Sequence, residues 1–233
     1  VRWADEAGAK KIICALPFPS GPLNATRLAS WGRHQNMNAS VAIATVAALG
    51  VNEVVALRAI RSLIIPAAFE IFGTVVAGVP AHSGRRGPTI IIDSAHNNDK
   101  TKATADTLEL WITGQKKAGR APSVHLVFGM SYNKDLKKCL KNLLPHTDYL
   151  YATRFTKNIL RKCFDPRQIA KDGKTRVKSA KAYLFPDDAF KAAIQNAGAN
   201  DVVLVTGSIF LAGELRPIAI KFTENQKHNF DKN

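Results

Sequence analysis

Three short runs, Thr89 to Asp93, Val124 to Phe128 and Asp201 to Thr206, are apolar through nearly their whole length and rich in β-branched residues. A strand with one wet face alternates polar and apolar side chains, so a run without alternation is expected to be covered on both faces. Further strands are predicted at Asp148 to Ala152 and Ala182 to Phe185. Helix-length amphipathic segments lie between the runs, at about Lys100 to Lys117, Lys134 to Leu144, Pro166 to Lys171 and Asp187 to Asn196. Strands alternating with helices predict an α/β domain with a doubly wound, mostly parallel sheet. Ligands of such sheets gather beyond the carboxyl ends of the strands. Three polar clusters fall at such ends: Asp93-Ser94-Ala95-His96-Asn97-Asn98, Gly129-Met130-Ser131 and Thr206-Gly207-Ser208.

The first part of the chain reads differently. Asn36 to Leu49 is an apolar helix, with Asn36 or Asn38 available as its cap and Gly50 where a helix normally stops. A second helix follows, capped by Asn52, with Val54, Val55, Leu57, Ile60 and Leu63 on one side and Pro66 ending it. Strands are expected near Lys11 to Leu16 and Phe69 to Val76. The Gly/Pro/Ser/Arg stretch from Gly78 to Pro88 is the expected boundary, giving residues 1–78, a linker at 79–87 and a second domain at 88–233.

Charge limits the partners without naming one. The 233 residues carry 33 Lys+Arg against 18 Asp+Glu, a formal +15, which suits an anionic ligand. There is no aromatic-rich RNA-binding strand and no helix-turn-helix pattern, so a specific nucleic-acid partner is not expected and solvated surface is the larger share of the excess. Apolar stretches fall short of the roughly 20 residues of a membrane span, which predicts a soluble protein with no membrane partner. Cys14, Cys139 and Cys163 are odd in number and irregularly spaced, so all three read as free thiols of a reducing compartment. The segment from Phe222 to Asn233 carries no motif and reads as surface or disorder.

Familiar catalytic signatures are absent. Gly173-Lys174-Thr175 imitates the end of a phosphate loop, but Gln168 stands where its first glycine belongs. His125 lies in or at a strand and His228 in a polar tail; His146 has only Asp148 near it. Asp93 and His96 stand out, because three-residue spacing at the end of an Ile-Ile-Ile strand can place both over one crevice. A carboxylate there can accept both hydroxyls of a ribose, and an imidazole can contact an anion; the alternative is that Asp93 caps the following helix or turn. Asn38 is open in the same way. It is either a helix cap or, with one donor and one acceptor, a match for the edge of adenine.

Five segments in order resemble the folylpolyglutamate synthetase and dihydrofolate synthetase branch of the Mur ligase superfamily. They are Gly32-x-His34-Gln35-x-x-Asn38-Ala39, Gly84-Arg85, Ile92-Asp93-x-Ala95-His96-Asn97, Phe128-Gly129 with Lys134-Asp135, and Val203-Leu204-Val205-Thr206-Gly207-Ser208. Arg86 stands beside Arg85 as a competing candidate, and Asn98 departs from the proline common after His-Asn in bacterial members.

The resemblance implies ligation of L-glutamate to a folate carboxylate, using ATP and Mg2+ and passing through an acyl phosphate. It implies a closing carboxyl-terminal Rossmann-like domain preceded by the end of an ATPase domain. It assigns ATP binding to Asn38 (adenine), Arg85 (phosphates) and Asp93 (ribose), and glutamate binding to His96 and Ser208. The family's phosphate loop, magnesium ligands and most of its folate surface would lie upstream of Val1, so no metal ligand is expected in these residues, which alone should be inactive. The partners implied are folate or folylpolyglutamate, L-glutamate and ATP, for a monomer in the cytoplasm or, as an alternative form, the mitochondrion. Dihydrofolate synthetase, or a non-catalytic binding module derived from the family, are the competing readings.

Overall fold

The computed structural model describes residues 32–73 and 87–228. The chain divides into two compact units, Val1–Ile64 and Ile65–Asn233. The expected strand at Lys11 to Leu16, the linker at 79–87 for all but Gly87, and Cys14 lie outside the described residues.

In the first unit, helix α1 spans Arg33–Ala48 and α2 spans Glu53–Ser62. The start of α1 corrects the expected cap. Gly32 occupies the cap position without a side-chain bond, so Asn36 and Asn38 stand inside the helix. Asn52 caps α2 as expected, its side chain accepting from Val54 N at 2.9 Å. The pair packs Ile43 and Val46 against Ala56, Leu57 and Ile60. Val54, Val55 and Leu63 are exposed, so the buried seam is narrower than the sequence pattern suggests.

The second unit holds a six-stranded sheet. Its strands are β1 (Glu70–Phe72), β2 (Thr89–Ile92), β3 (Val124–Phe128), β4 (Tyr149–Ala152), β5 (Ser179–Ala182) and β6 (Val202–Thr206), in spatial order β1-β2-β6-β3-β4-β5. All neighbours are parallel except β1, which pairs antiparallel with β2. The strand expected near Phe69 to Val76 therefore belongs to this sheet and not to the helical pair. The helices are α3 (Asn98–Lys117), α4 (Leu136–Leu143), α5 (Pro166–Gly173), α6 (Pro186–Asn196) and α7 (Ile209–His228).

Alternation along the strands now has a function: it divides two cores. Ile91, Leu126, Phe128, Leu150 and Leu204 pack with Leu108 and Trp111 of α3, Leu140 of α4 and Ile169 of α5. Ile90, Ile92, Val127, Val203 and Val205 pack with Phe190 of α6 and Leu211 and Leu215 of α7. Apolar side chains on both faces explain why β2, β3 and β6 read as unbroken apolar runs. Strand β5 breaks that rule. Its Ser-Ala-Lys-Ala is only half-buried to exposed at the sheet edge, and it lies upstream of the expected Ala182 to Phe185, whose Leu184 and Phe185 are exposed.

One further correction concerns the carboxyl end. One helix, α7, runs to His228 with Pro217 inside it, where surface or disorder was expected from Phe222. Arg216 on α7 forms a paired hydrogen-bonded contact with Glu70 of β1, Nε to Oε2 at 2.7 Å and Nη2 to Oε1 at 2.8 Å, tying the helix to the edge strand. No helix among the described residues is long and apolar enough to cross a membrane.

Candidate ligand crevice at the carboxyl ends of the central strands

Strands β2 and β3 send the chain into α3 and α4 on one face, while β6 between them sends it into α7 on the other. Loops that diverge to opposite faces leave an opening beyond the strand ends, which is where open α/β sheets hold ligands. The Asp93 and Thr206 clusters meet there. Asp93 N donates to Val205 O at 2.9 Å and Gly207 N to Ala95 O at 3.0 Å, so the two loops are joined backbone to backbone.

Asp93 is the hub of this junction. Its Oδ1 accepts from Ala95 N (2.9 Å), Thr104 Oγ1 (2.7 Å) and Thr206 Oγ1 (3.3 Å), and its Oδ2 accepts from Phe69 N (3.0 Å). The carboxylate is 8% exposed. Four donors satisfy most of its capacity, leaving a lone pair on Oδ2. Asp93 caps the turn that follows it, through Ala95 N, while Asn97 caps α3, accepting from Lys100 N at 2.9 Å.

The segment before β1 is held by carboxylates as well. Ala67 and Phe69 adopt φ of 55° and 52°, the left-handed region that costs a non-glycine residue roughly 1–2 kcal/mol. Glu70 Oε2 accepts from Ala67 N at 2.9 Å, and Asp93 Oδ2 accepts from Phe69 N. Burial alone would raise the Glu70 carboxyl, but its bonds to Arg216 and to Ala67 N outweigh that and hold it below its ordinary value.

His96 is half-buried, with Nδ1 2.9 Å from Ser94 O. A carbonyl only accepts, so Nδ1 carries the hydrogen, and Nε2 makes no bond among the described residues. Ser208 is 2% exposed and its Oγ accepts from Phe210 N at 3.1 Å, capping α7. Between them Gly207 holds φ of +103°, and a Cβ there would stand 2.6 Å from the Phe128 ring and 2.7 Å from Gly129 O. Only glycine lets β6 turn this close to the end of β3.

Asp93, His96 and Ser208 are thus brought to one end of the sheet. Asn38 is in the first unit, exposed, its Nδ2 donating to Gln35 Oε1 at 3.1 Å; because it is not a cap, the capping explanation for it falls away. Arg85, with Arg86, lies outside the described residues. Among the described residues no group of three His, Cys, Asp or Glu side chains is placed to hold a metal. Cys139 and Cys163 are free, and burial raises both thiols.

Sequence reasoning missed one polar residue that organises the sheet ends, Glu214, and placed the other, His125, in a strand without a role. Glu214 on α7, 5% exposed, accepts from Thr156 N (2.8 and 2.9 Å), Thr156 Oγ1 (3.0 Å) and Lys157 N (2.6 Å). It stands within the apolar first turns of that helix, Ile209 to Leu215, which was the available signal. At the opposite end of the sheet His125, 1% exposed, places Nδ1 3.1 Å from Tyr151 Oη and Nε2 3.5 Å from Asp201 Oδ2. Burial pushes its imidazole below the ordinary value, and the nearby Asp201 offsets only part of that.

Residues 81–209, more than half of the chain, match the family described as Mur ligase, glutamate ligase domain. The chain is 28% identical over 193 residues to a probable bifunctional folylpolyglutamate synthase/dihydropteroate synthase of Halobacterium salinarum, covering 82% of this chain and 21% of that protein. It is 25% identical over 189 residues to a dihydrofolate synthase/folylpolyglutamate synthase of Bacillus subtilis, covering 79% and 39%. The solved structure of E. coli FolC in complex with DHPP and ADP is similar in fold, with a TM-score of 0.61 at 23% identity over 78% of this chain and 38% of that one. The chain spans less than half the length of each of these relatives.

Proposed function

The chain belongs to the Mur ligase family through its glutamate ligase domain, and from that premise we propose that it forms the glutamate-accepting part of an ATP-dependent ligase joining L-glutamate to the γ-carboxylate of a folate. The observation that carries this reading is the junction of the Asp93–His96 loop with Thr206-Gly207-Ser208 where the connections diverge. Dihydrofolate synthesis uses the same chemistry on a different carboxylate and is the alternative substrate; a non-catalytic binding module is the alternative class.

A carboxylate is a poor electrophile until one oxygen becomes a leaving group. In the proposed reaction the γ-phosphoryl group of ATP passes to a carboxylate oxygen and ADP leaves. The glutamate amine then attacks the acyl carbon, phosphate departs with the C–O electron pair, and the amine loses a proton. Water must be kept from the acyl phosphate meanwhile. Asn38 offers a donor and an acceptor to adenine, Arg85 is assigned to the phosphates, and Asp93 Oδ2 accepts from a ribose hydroxyl. His96 and Ser208 are assigned to L-glutamate, the Ser208 hydroxyl hydrogen donating to its carboxylate. The described residues do not fit a magnesium site, so its ligands are not assigned among them.

The test is titration calorimetry of the 233-residue chain with ADP and with L-glutamate. Asn38→Ala is expected to weaken ADP alone, by about threefold to tenfold for one lost hydrogen-bonding group. His96→Gln is expected to weaken L-glutamate alone, by a similar factor. Absence of both ADP and glutamate binding in a folded chain overturns the proposal. Because these residues contain no G-x-x-x-x-G-K-[ST] to hold the β- and γ-phosphates, binding without turnover is expected; ATP- and glutamate-dependent turnover would refute that part.

A further inference from the structure

The loop between β4 and α5 forms a second concavity, of about 570 Å³, with Arg154, Arg161, Lys162 and Arg167 in its lining and Asp165 as the single carboxylate there. That volume is within the usual range for ligand pockets. Arg154 Nε donates to Leu184 O at 3.2 Å, while Arg161, Lys162 and Arg167 have no ion-pair partner among the described residues. Four cations around one cavity against one carboxylate repel each other unless an anion lies among them.

The backbone carrying these cations is fixed at several points. Glu214 takes the N–H groups of Thr156 and Lys157. Tyr132 N donates to Lys162 O at 2.9 Å and Phe164 N to Met130 O at 3.0 Å, across a bridge between Ser131 and Cys163. The loop is thus anchored to the connection after β3, and that connection neighbours the end of β6. In the sheet order β6-β3-β4 the loop starts two strands from Ser208, a lateral distance of about 10 Å.

We propose that this pocket binds the carboxylates of an oligo-γ-glutamyl chain whose end is extended at the crevice. The inference rests on the glutamate ligase reading, since only that chemistry makes such a chain a substrate. The lining of the pocket intersperses apolar Phe155, Ile159, Phe164 and Leu184 among these cations. An oligo-γ-glutamate alternates in the same way, with carboxylates separated by methylene stretches, whereas a polyphosphate is charged throughout and gains nothing from apolar walls. Arginine binds carboxylates through paired, directed hydrogen bonds.

The probe is a γ-linked oligoglutamate peptide titrated into the full 233-residue chain, with monomeric L-glutamate, α-linked oligoglutamate and inorganic polyphosphate as comparisons. The expected result is tighter binding of the γ-linked oligomer than of any comparison. The double variant Arg161→Ala/Arg167→Ala should lose about tenfold in affinity, two partly exposed charge contacts at about 0.7 kcal/mol each, with ADP affinity unchanged. Both side chains are exposed, and an unaltered melting temperature establishes that the variant is folded. Equal binding of polyphosphate, or no effect of the double variant, overturns the pocket. ADP binding without oligoglutamate binding refutes the pocket and leaves the ligase reading standing; oligoglutamate binding with neither ADP nor L-glutamate binding refutes the ligase reading and leaves the pocket.

Discussion

Replacing Asp93 by Asn preserves shape and removes one acceptor, which separates the two roles of this side chain. The amide oxygen can take only one of the two carboxylate positions. Three donors converge on Oδ1 and one on Oδ2, so the lower-energy orientation puts the amide nitrogen at Oδ2. It then faces the N–H of Phe69, donor against donor. A hydrogen bond to a charged acceptor is worth about 1.5–3 kcal/mol, and the remaining three bonds weaken when the charge is lost. Phe69 is 1% exposed, so its N–H finds no water in exchange. The same bond holds Phe69 at φ 52°, and releasing part of that strain returns about 1 kcal/mol. The net expectation is a loss of about 2–3 kcal/mol in the second unit. Urea denaturation monitored by far-ultraviolet circular dichroism should show a lower midpoint at unchanged slope. A loss under about 0.5 kcal/mol would refute the reasoning, because Asp93 could not then be the acceptor on which the two loops depend.

Other perturbations reach different parts of the structure. Gly207→Ala should cost about 3 kcal/mol, combining a left-handed backbone with overlap against Phe128 and Gly129, and thermal melting would register it. Glu214→Gln should free the loop at Thr156 and Lys157, seen as faster tryptic cleavage at Lys157, Arg161 and Lys162 with little change in the rest of the digest. For His125, the folded imidazole is harder to protonate than the unfolded one, so the unfolded state binds more protons below the ordinary value of 6.5. Stability is therefore full above that pH and falls as pH drops beneath it; His125→Gln should flatten the denaturation midpoint between about pH 5 and 6.5.

Much of the sheet was legible because β2, β3 and β6 consist of residues that have no other environment to occupy. Strand β5 was misplaced for the converse reason. Ser179 to Ala182 carries no β-branched residue and needs no cover at the edge, while the apolar Tyr183-Leu184-Phe185 beside it drew the expectation downstream. Helix α7 escaped because Pro217 argues against a helix interior, yet the apolar contacts of Leu211, Leu215 and Ala219 outweigh one lost bond. At the crevice, the sequence pointed to Asp93, His96 and Ser208 through their place after apolar runs. It could not show that Asp93 is satisfied from three separate segments, since Phe69, Thr104 and Thr206 are joined only by the fold. The basic pocket was equally hidden, its cations scattered among many others until the loop after β4 gathers them.

The place of β6 has a consequence for the order of events in folding. It is the last strand in the chain, yet it lies between β2 and β3 and supplies the partners for both. Until Val202 to Thr206 has been made, those two strands have no common neighbour and each presents an unpaired edge. The sheet therefore cannot assemble progressively from its amino end, and its closing step joins segments more than a hundred residues apart, as in the Thr206 to Asp93 contact. Long-range closure of this kind is slow and leaves sticky edges waiting. A ribosome-bound chain short of β6 is in the state most in need of a chaperone.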